Sequence, residues 1–597
     1  MAREIGNPLG VIDELFAAKA EQNKVPPSEW GERAHFLQAL QLSDEENFAK
    51  VPCLNDMQLV EQVKPFTLVR YRCLVQDVFE PELYSMILLE QNAHDPKQSR
   101  FVNTKYRECY PSQEGTTLQD VGRSGLSTRG AYYCVPLPGE TSWSMRPPLP
   151  QTVSVANGTK RQRDEDDMEV EAEEVGAEVR SQRSKTEKEP KVIHSSSSSD
   201  DFGLNLPLPW EKGCACIVKL YDDQAETLKL CESVEILGIL CIDPHLANLG
   251  GPSQAWPLPD ARSPSTALVP RLHGLVVRRL PFYHPLFPFS PSWLSEARLA
   301  SAYQRRLASP GAVAAARSMA IRCLEQALGG DTVAAEYVLA LLASRVYGHS
   351  NGIALGQWSL NLSHWNDIPV ERLHEATSAL TPLAVHLQVN VETLSSCRWK
   401  PKKDFDLNRL LAGRLQLAPG TFLLLDESGM EPGRLDDHGV RSLRALSTLV
   451  SDQMLQCDFN TYDVQIPLEV NSLFISKGVS ILKLADVVLP MKPTFSASAS
   501  METSGLDAAR FLLGLVTRLA KPFQMPEHVV AAFSQDFAQV RQEFQEVGQR
   551  TVHVWRSLAR AICFTHGEEE LSIERWRSVM ALERERLRRC AAEGIQG

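Results

Sequence analysis

From Gln151 to about Asp201 the chain abandons every hydrophobic period. Between Lys160 and Pro190 stand seven Lys and Arg against eleven Asp and Glu, and the run closes on Ser195–Ser199 and Asp200-Asp201. Such a tract buries too little apolar area to offset its chain entropy, so 151–201 is expected to be a disordered, acidic insertion. Strands are predicted on both sides of it. Phe66–Val75 alternates Leu68, Arg70 and Arg72 against Val69, Tyr71, Cys73 and Val75, the pattern of a half-buried strand. Met86–Glu90 and Gly130–Val135 follow; beyond the break come Cys214–Tyr221 and Glu232–Ile242, where Gly238 suggests a bulge or a close approach. One small β-barrel with a long insertion in a loop accounts for all of this, because loop closure costs little per added residue.

The remaining texture is helical, then α/β. Val11–Ala20 is a short amphipathic helix. From Pro310, helices Val313–Leu328 and Thr332–Val346 precede strand Gly352–Leu362, helix Val370–Leu380 and strand Val385–Val391. A hairpin Leu411–Asp426, helix Val440–Leu455 and a strand pair Tyr462–Val470 and Asn471–Ser476 complete the alternation. That order predicts a mostly parallel sheet covered by helices. Leu506–Cys590 is helical; Val530, Phe533, Phe537, Val540, Phe544 and Val547 mark a core-facing seam. The expected layout is an N-terminal helical segment (1–60), a split OB-like barrel (61–150 and 202–280) around the insertion, an α/β domain (310–500) and a helical C-terminal lid (501–597).

Composition narrows the function classes. The net charge is −12, from 62 basic and 74 acidic residues, which argues against a chain whose main affinity comes from neutralising phosphates. Thirteen scattered cysteines suit buried free thiols in a reducing compartment. The close pair Cys214-Ala-Cys216 lacks zinc spacing, and no metal site is expected. No signal peptide, transmembrane run, H-E-x-x-H or G-x-S-x-G is found, so metalloenzyme and hydrolase readings gain no support and the expected place is cytosol or nucleus.

The sharpest chemical motif is TFLLLDESG, Thr421–Gly429. An apolar strand ending in Asp426-Glu427 looks like a Walker B element, in which the Asp holds Mg²⁺ and the Glu polarises a water. Its partner motif is missing. The turn that would carry G-x-x-x-x-G-K-[ST] holds Ser363, His364, Trp365, Asn366 and Asp367, with neither Gly nor Lys. The pair is therefore expected to be degenerate, Asp426 capping the turn that follows it, in an AAA+-like domain without a nucleotide or other cofactor. On the barrel, Arg70, Tyr71 and Arg72 are the candidates for single-strand contacts, with a solvated strand face as the preferred reading. Lys160, Arg161 and Arg163 form a brief cluster that serves either as a nuclear import signal or as solvated charge.

Several segments, in order along nearly the whole chain, resemble one family, the mini-chromosome maintenance (MCM) complex-binding proteins. They are NPLGVIDELF at Asn7–Phe16, VPCLND at Val51–Asp56, RYRCLVQDVFEPELY at Arg70–Tyr84 and YYCVPLPGE at Tyr132–Glu140. LNLPLPWEKG at Leu204–Gly213, LVPRLH at Leu268–His273, GDTVAAEYVL at Gly330–Leu339 and LLLDE at Leu423–Glu427 continue the match. The resemblance implies an OB-like part and a degenerate AAA+-like part. It also implies a non-enzymatic nuclear factor that associates with MCM helicase subunits, and with chromatin indirectly. Such a factor would handle assembly, stability or unloading of the MCM complex in DNA replication and support sister-chromatid cohesion through cell division. It implies no membrane and no small-molecule substrate. The alternatives are an active AAA+ ATPase and an OB-fold single-stranded DNA binder.

Overall fold

The structure is a computed structural model. It describes residues 2–23, 30–42, 45–56, 62–92, 99–111, 115–145, 204–242, 269–287, 307, 309–350, 353–366, 368–495, 505–518, 523–544 and 549–595. The chain divides into a compact unit, Met1–Pro147 with Gly203–Gly597, and a second unit, Pro148–Phe202. The expected insertion, with Lys160, Arg161 and Arg163, lies outside the described residues.

Five strands of the first unit close a barrel: β1 (Leu68–Val78), β2 (Leu126–Pro136), β3 (Cys216–Tyr221), β4 (Ser233–Cys241) and β5 (Arg271–Arg279). Around the barrel the order is β1-β2-β3-β5-β4 and back to β1. The β3–β5 pair is parallel and the other four are antiparallel. Strands on either side of the insertion thus pair directly, Arg129 opposite Tyr221 through Cys134 opposite Cys216. Val69, Tyr71, Cys73 and Val75 point into the barrel core with Tyr132, Cys134, Val218 and Ile236, as the alternation required. The other face of β1 is buried too. Leu68 joins a second core with Ile12 and Phe16 of α1 (Pro8–Asn23) and Phe36 of α2 (Glu32–Ala39), so the strand is not half-exposed. Gly238 sits at a register shift between β4 and β5. A Cβ there would stand 2.6 Å from the His273 carbonyl oxygen, and glycine is what allows that approach. The strand expected at Met86–Glu90 is Ile87–Asn92, in a separate three-stranded sheet.

The α/β layer holds five parallel strands: β6 (Leu360–Ser363), β7 (Ala384–Gln388), β8 (Thr421–Asp426), β9 (Val470–Ile475) and β10 (Val487–Pro490). Their order is β7-β8-β9-β6-β10, every neighbouring pair parallel. Both faces are covered, which is why TFLLLD is apolar throughout rather than alternating. Phe422 and Leu424 face a core with α3 (Ala312–Ala327), α4 (Thr332–Leu342) and α5 (Val370–Leu380). Leu423 and Leu425 face one with Leu394 of α6 (Val391–Ser396) and Leu446 and Leu449 of α7 (Asp437–Asp452). The C-terminal helices are α8 (Asp507–Arg518), α9 (Glu527–Glu543), α10 (Gln549–Thr565) and α11 (Ile573–Ala592). They share the first of these cores with the sheet rather than forming one of their own.

Several local expectations change. Leu411–Asp426 is not a hairpin: Arg409–Leu411 pairs with Lys402–Asp404, and β8 joins the parallel sheet. Tyr462–Val470 and Asn471–Ser476 do not pair with each other; Asp463–Pro467 pairs with Met454–Asp458, and β9 is a sheet strand. Gly352–Leu362 is interrupted at Gly356, whose φ of +97° breaks the strand into Ile353–Leu355 and β6. In the C-terminal seam Phe533 and Phe537 pack on Trp555, but Val530 is 45% exposed and the helix buries Val529 instead. Val547 lies outside the described residues.

Candidate functional site

The acidic pair terminates β8, where the strand leaves the sheet, and both carboxylates are buried. Asp426 Oδ1 accepts from the Ser428 amide at 2.8 Å, the turn-capping role expected of it. Its Oδ2 stands 3.7 Å from His386 Nε2 on β7, too long for a hydrogen bond but close enough for charge to matter. Burial would raise this carboxyl; His386 and the Ser428 amide outweigh it and hold the pKa below the usual value. Glu427 is shifted the other way. Burial pushes its pKa up, and Asp426 beside it adds to the shift. Both Glu427 oxygens accept from Ser480 Oγ at 2.9 Å, and Oε2 from the Ile481 amide at 3.2 Å. The carboxylate that would polarise a water in an ATPase is here the anchor of the loop after β9.

The turn after β6 is equally committed. His364 takes a left-handed backbone, φ +58°, and its Nε2 stands 3.4 Å from a Glu593 carboxylate oxygen. Trp365 is 3% exposed; its indole N–H donates to the Ile368 carbonyl at 2.6 Å and its amide to the Ser476 carbonyl at 3.1 Å. Where a phosphate cradle presents backbone N–H groups to a ligand, this turn places an indole in the protein interior. Next to it Asn361 Oδ1 accepts from Ser476 Oγ at 3.1 Å. From the outer edge of the sheet, Arg589 of α11 donates to Asp331 at 2.7 Å and to the Pro490 carbonyl at 3.3 Å.

The barrel candidates are also spoken for, which corrects the expectation of a solvated face. Arg72 is 2% exposed and ion-paired with Glu140 at 2.9 Å. Arg70 donates to the Val51 carbonyl at 3.0 Å and pairs with Glu235 at 3.4 Å. Tyr71 lies in the barrel core with its hydroxyl donating to the Cys214 carbonyl at 2.6 Å. Arg70 and Arg72 do share a face and Tyr71 the opposite one, but the face they share is covered by the chain. The partners Ser480, His386, Glu140 and Glu235 carry no sequence motif that links them to the pair or to the arginines. None of the thirteen cysteines is in a disulfide. Among the described residues no group of three His, Cys, Asp or Glu is placed to hold a metal, and no helix is long and apolar enough to cross a membrane.

Fold and site together define a class: a closed five-stranded barrel built onto a parallel α/β layer whose strand-end acids serve the protein's own loops. The family described as mini-chromosome maintenance replisome factor matches residues 37–590. Relatives named mini-chromosome maintenance complex-binding protein align over nearly the full length. The one from Danio rerio is 32% identical, covering 98% of this chain and 97% of its own. The Homo sapiens protein is 30% identical, covering 97% and 96%, and the Arabidopsis thaliana protein 29%, covering 98% of each. The chain belongs to the mini-chromosome maintenance complex-binding family.

Proposed function

We propose that this chain is a non-enzymatic nuclear factor that binds MCM helicase subunits and regulates assembly, stability or unloading of the MCM complex during DNA replication, so supporting sister-chromatid cohesion. The carrying observation is the end-to-end match to proteins named for binding that complex. The barrel is OB-like in this proposal: five strands in the order 1-2-3-5-4 with a parallel 3–5 pair support it. The parallel layer is AAA+-like and degenerate. Numbered within the layer, its strands run 5-1-4-3-2, with the acidic pair at the end of strand 3 and the phosphate turn due after strand 1. Trp365 filling that turn and Ser480 holding Glu427 favour a scaffold over the alternative of an active ATPase. The ion-paired Arg70 and Arg72 weigh against single-strand binding at that face.

The test is affinity purification of the tagged chain from nuclear extract at moderate salt. MCM subunits are expected to co-purify, and their absence would sink the proposal. Titration with Mg-ATP is expected to give no heat; micromolar binding would restore the ATPase alternative.

A further inference from the structure

The segment Arg398–Arg414, RWKPKKDFDLNRLLAGR, carries six basic residues against two acids in a chain of net charge −12. Lys400 is consumed by Asp458 at 3.3 Å and Asp463 at 2.7 Å. Arg398, Lys402, Arg409 and Arg414 are not: among the described residues no carboxylate lies within 4.0 Å of their side-chain nitrogens. The fold nevertheless gathers them. Asp404 stands opposite Arg409 in the Lys402–Asp404/Arg409–Leu411 hairpin, which puts Lys402 and Arg409 on one face. The Arg414 amide donates to the Arg398 carbonyl at 3.0 Å, and Arg398 Nη1 to the Ala412 carbonyl at 3.3 Å. Asp404, the acid on that face, already accepts the Asp406 and Leu407 amides at 3.0 Å each. Arg409 Nε is buried and has no hydrogen-bond partner among the described residues. Burial, and next the charge of Arg409, lower the pKa of Arg398 against the smaller opposing effect of Asp404. Arg414 lies over the ring of Trp210, 5.5 Å to the centroid, and Trp210 is 54% exposed.

Like-charged guanidiniums held together with no carboxylate in ion-pair contact are stabilised by any anion that joins them, and a carboxylate meets a guanidinium fork in two parallel hydrogen bonds. We propose that this patch docks an extended, carboxylate-rich segment of a protein partner, its acids on Arg398 and Arg409 and an apolar side chain against Trp210. Nucleic acid is the poorer fit. Tight phosphate-backbone binding takes roughly 6–10 contacts along a groove, whereas this patch is four cations on one hairpin and its flank. The inference holds whether or not an MCM subunit donates the acidic segment.

The test titrates the full chain with short fluorescein-labelled poly-L-glutamate, and separately with oligo(dT), at low salt. Poly-L-glutamate is expected to bind and to weaken about tenfold in each of Arg398→Ala and Arg409→Ala, the loss of a charge-assisted pair. Lys402→Glu, on an exposed side chain with no ion pair among the described residues, should weaken it comparably without touching the fold. No binding, or binding that all three variants leave unchanged, would overturn the proposal. Tighter binding of oligo(dT) through the same arginines would overturn the choice of partner.

Discussion

Two glutamates, the buried Glu427 and the half-buried Glu211, are the residues whose chemistry is most exposed to test. Glu427 accepts from Ser480 and Ile481, so Glu427→Ala strands a hydroxyl and an amide at a cost of about 1–3 kcal/mol in chemical denaturation. Glu427→Gln keeps an acceptor oxygen and removes a charge that burial disfavours. It should leave stability at pH 7 unchanged or slightly raised, and leave partner binding intact; a working ATPase would instead trap bound nucleotide. Among the described residues Glu211 has no cationic partner; burial raises its pKa to about 7, against the lowering effect of the Gly139 amide it accepts at 2.7 Å. A carboxyl with a raised folded pKa favours the folded state while protonated. Its contribution is fully present below the unfolded value near 4.5 and is lost as pH rises through about 7. Wild-type stability should therefore fall across that window by up to about 3 kcal/mol relative to Glu211→Gln. Parallel pH profiles for the two proteins would contradict this environment for Glu211.

At the scale of elements, the buried junctions decide stability. Asp331 caps α4 by accepting the Ala334 amide at 3.1 Å, and its other oxygen accepts the Lys492 amide at 2.8 Å and Arg589 at 2.7 Å. Asp331→Ala undoes all three and leaves Arg589 with Glu585, 3.2 Å from its Nε, as its remaining acid, so a loss of about 2–4 kcal/mol is expected by denaturant titration. Gly238→Ala drives a methyl to 2.6 Å from the His273 carbonyl and should cost about 1–3 kcal/mol while leaving the α/β layer folded. These elements also mark how far the sequence could be followed. The period-2 run Val69–Val75 named the barrel's inner face correctly, because one strand's alternation is local information. It could not show that α1 and α2 cover the other face, since Phe16 and Phe36 meet Leu68 only through the fold. The dipeptide Pro419-Gly420 suits a type II turn, and Gly420 has φ +84°, but which strand β8 pairs with is a long-range outcome. At the site, the missing Gly and Lys were legible. The partner of Glu427 was not, because Ser480 lies 53 positions away with no motif to tie them.

For the whole molecule, the barrel's continuity across residues 146–203 makes a further expectation concrete. The β2–β3 ladder needs no residue of that stretch, so deleting Lys160–Pro190 should leave the thermal transition where it is, or raise it slightly by shortening the connection between the two strands. If Lys160, Arg161 and Arg163 carry import, the same deletion should lower nuclear accumulation, seen by fractionation. Unfolding of the deletion variant would contradict the barrel's independence from the tract. In the function proposed above, the chain binds MCM subunits as a scaffold without nucleotide chemistry of its own. The most direct test of that function is sedimentation of the purified chain with purified MCM subunits, run in parallel with Glu427→Gln. A complex of defined stoichiometry, equal for both proteins, is predicted. Failure of the wild-type chain to form any complex, or a complex that Glu427→Gln abolishes or locks, would contradict it.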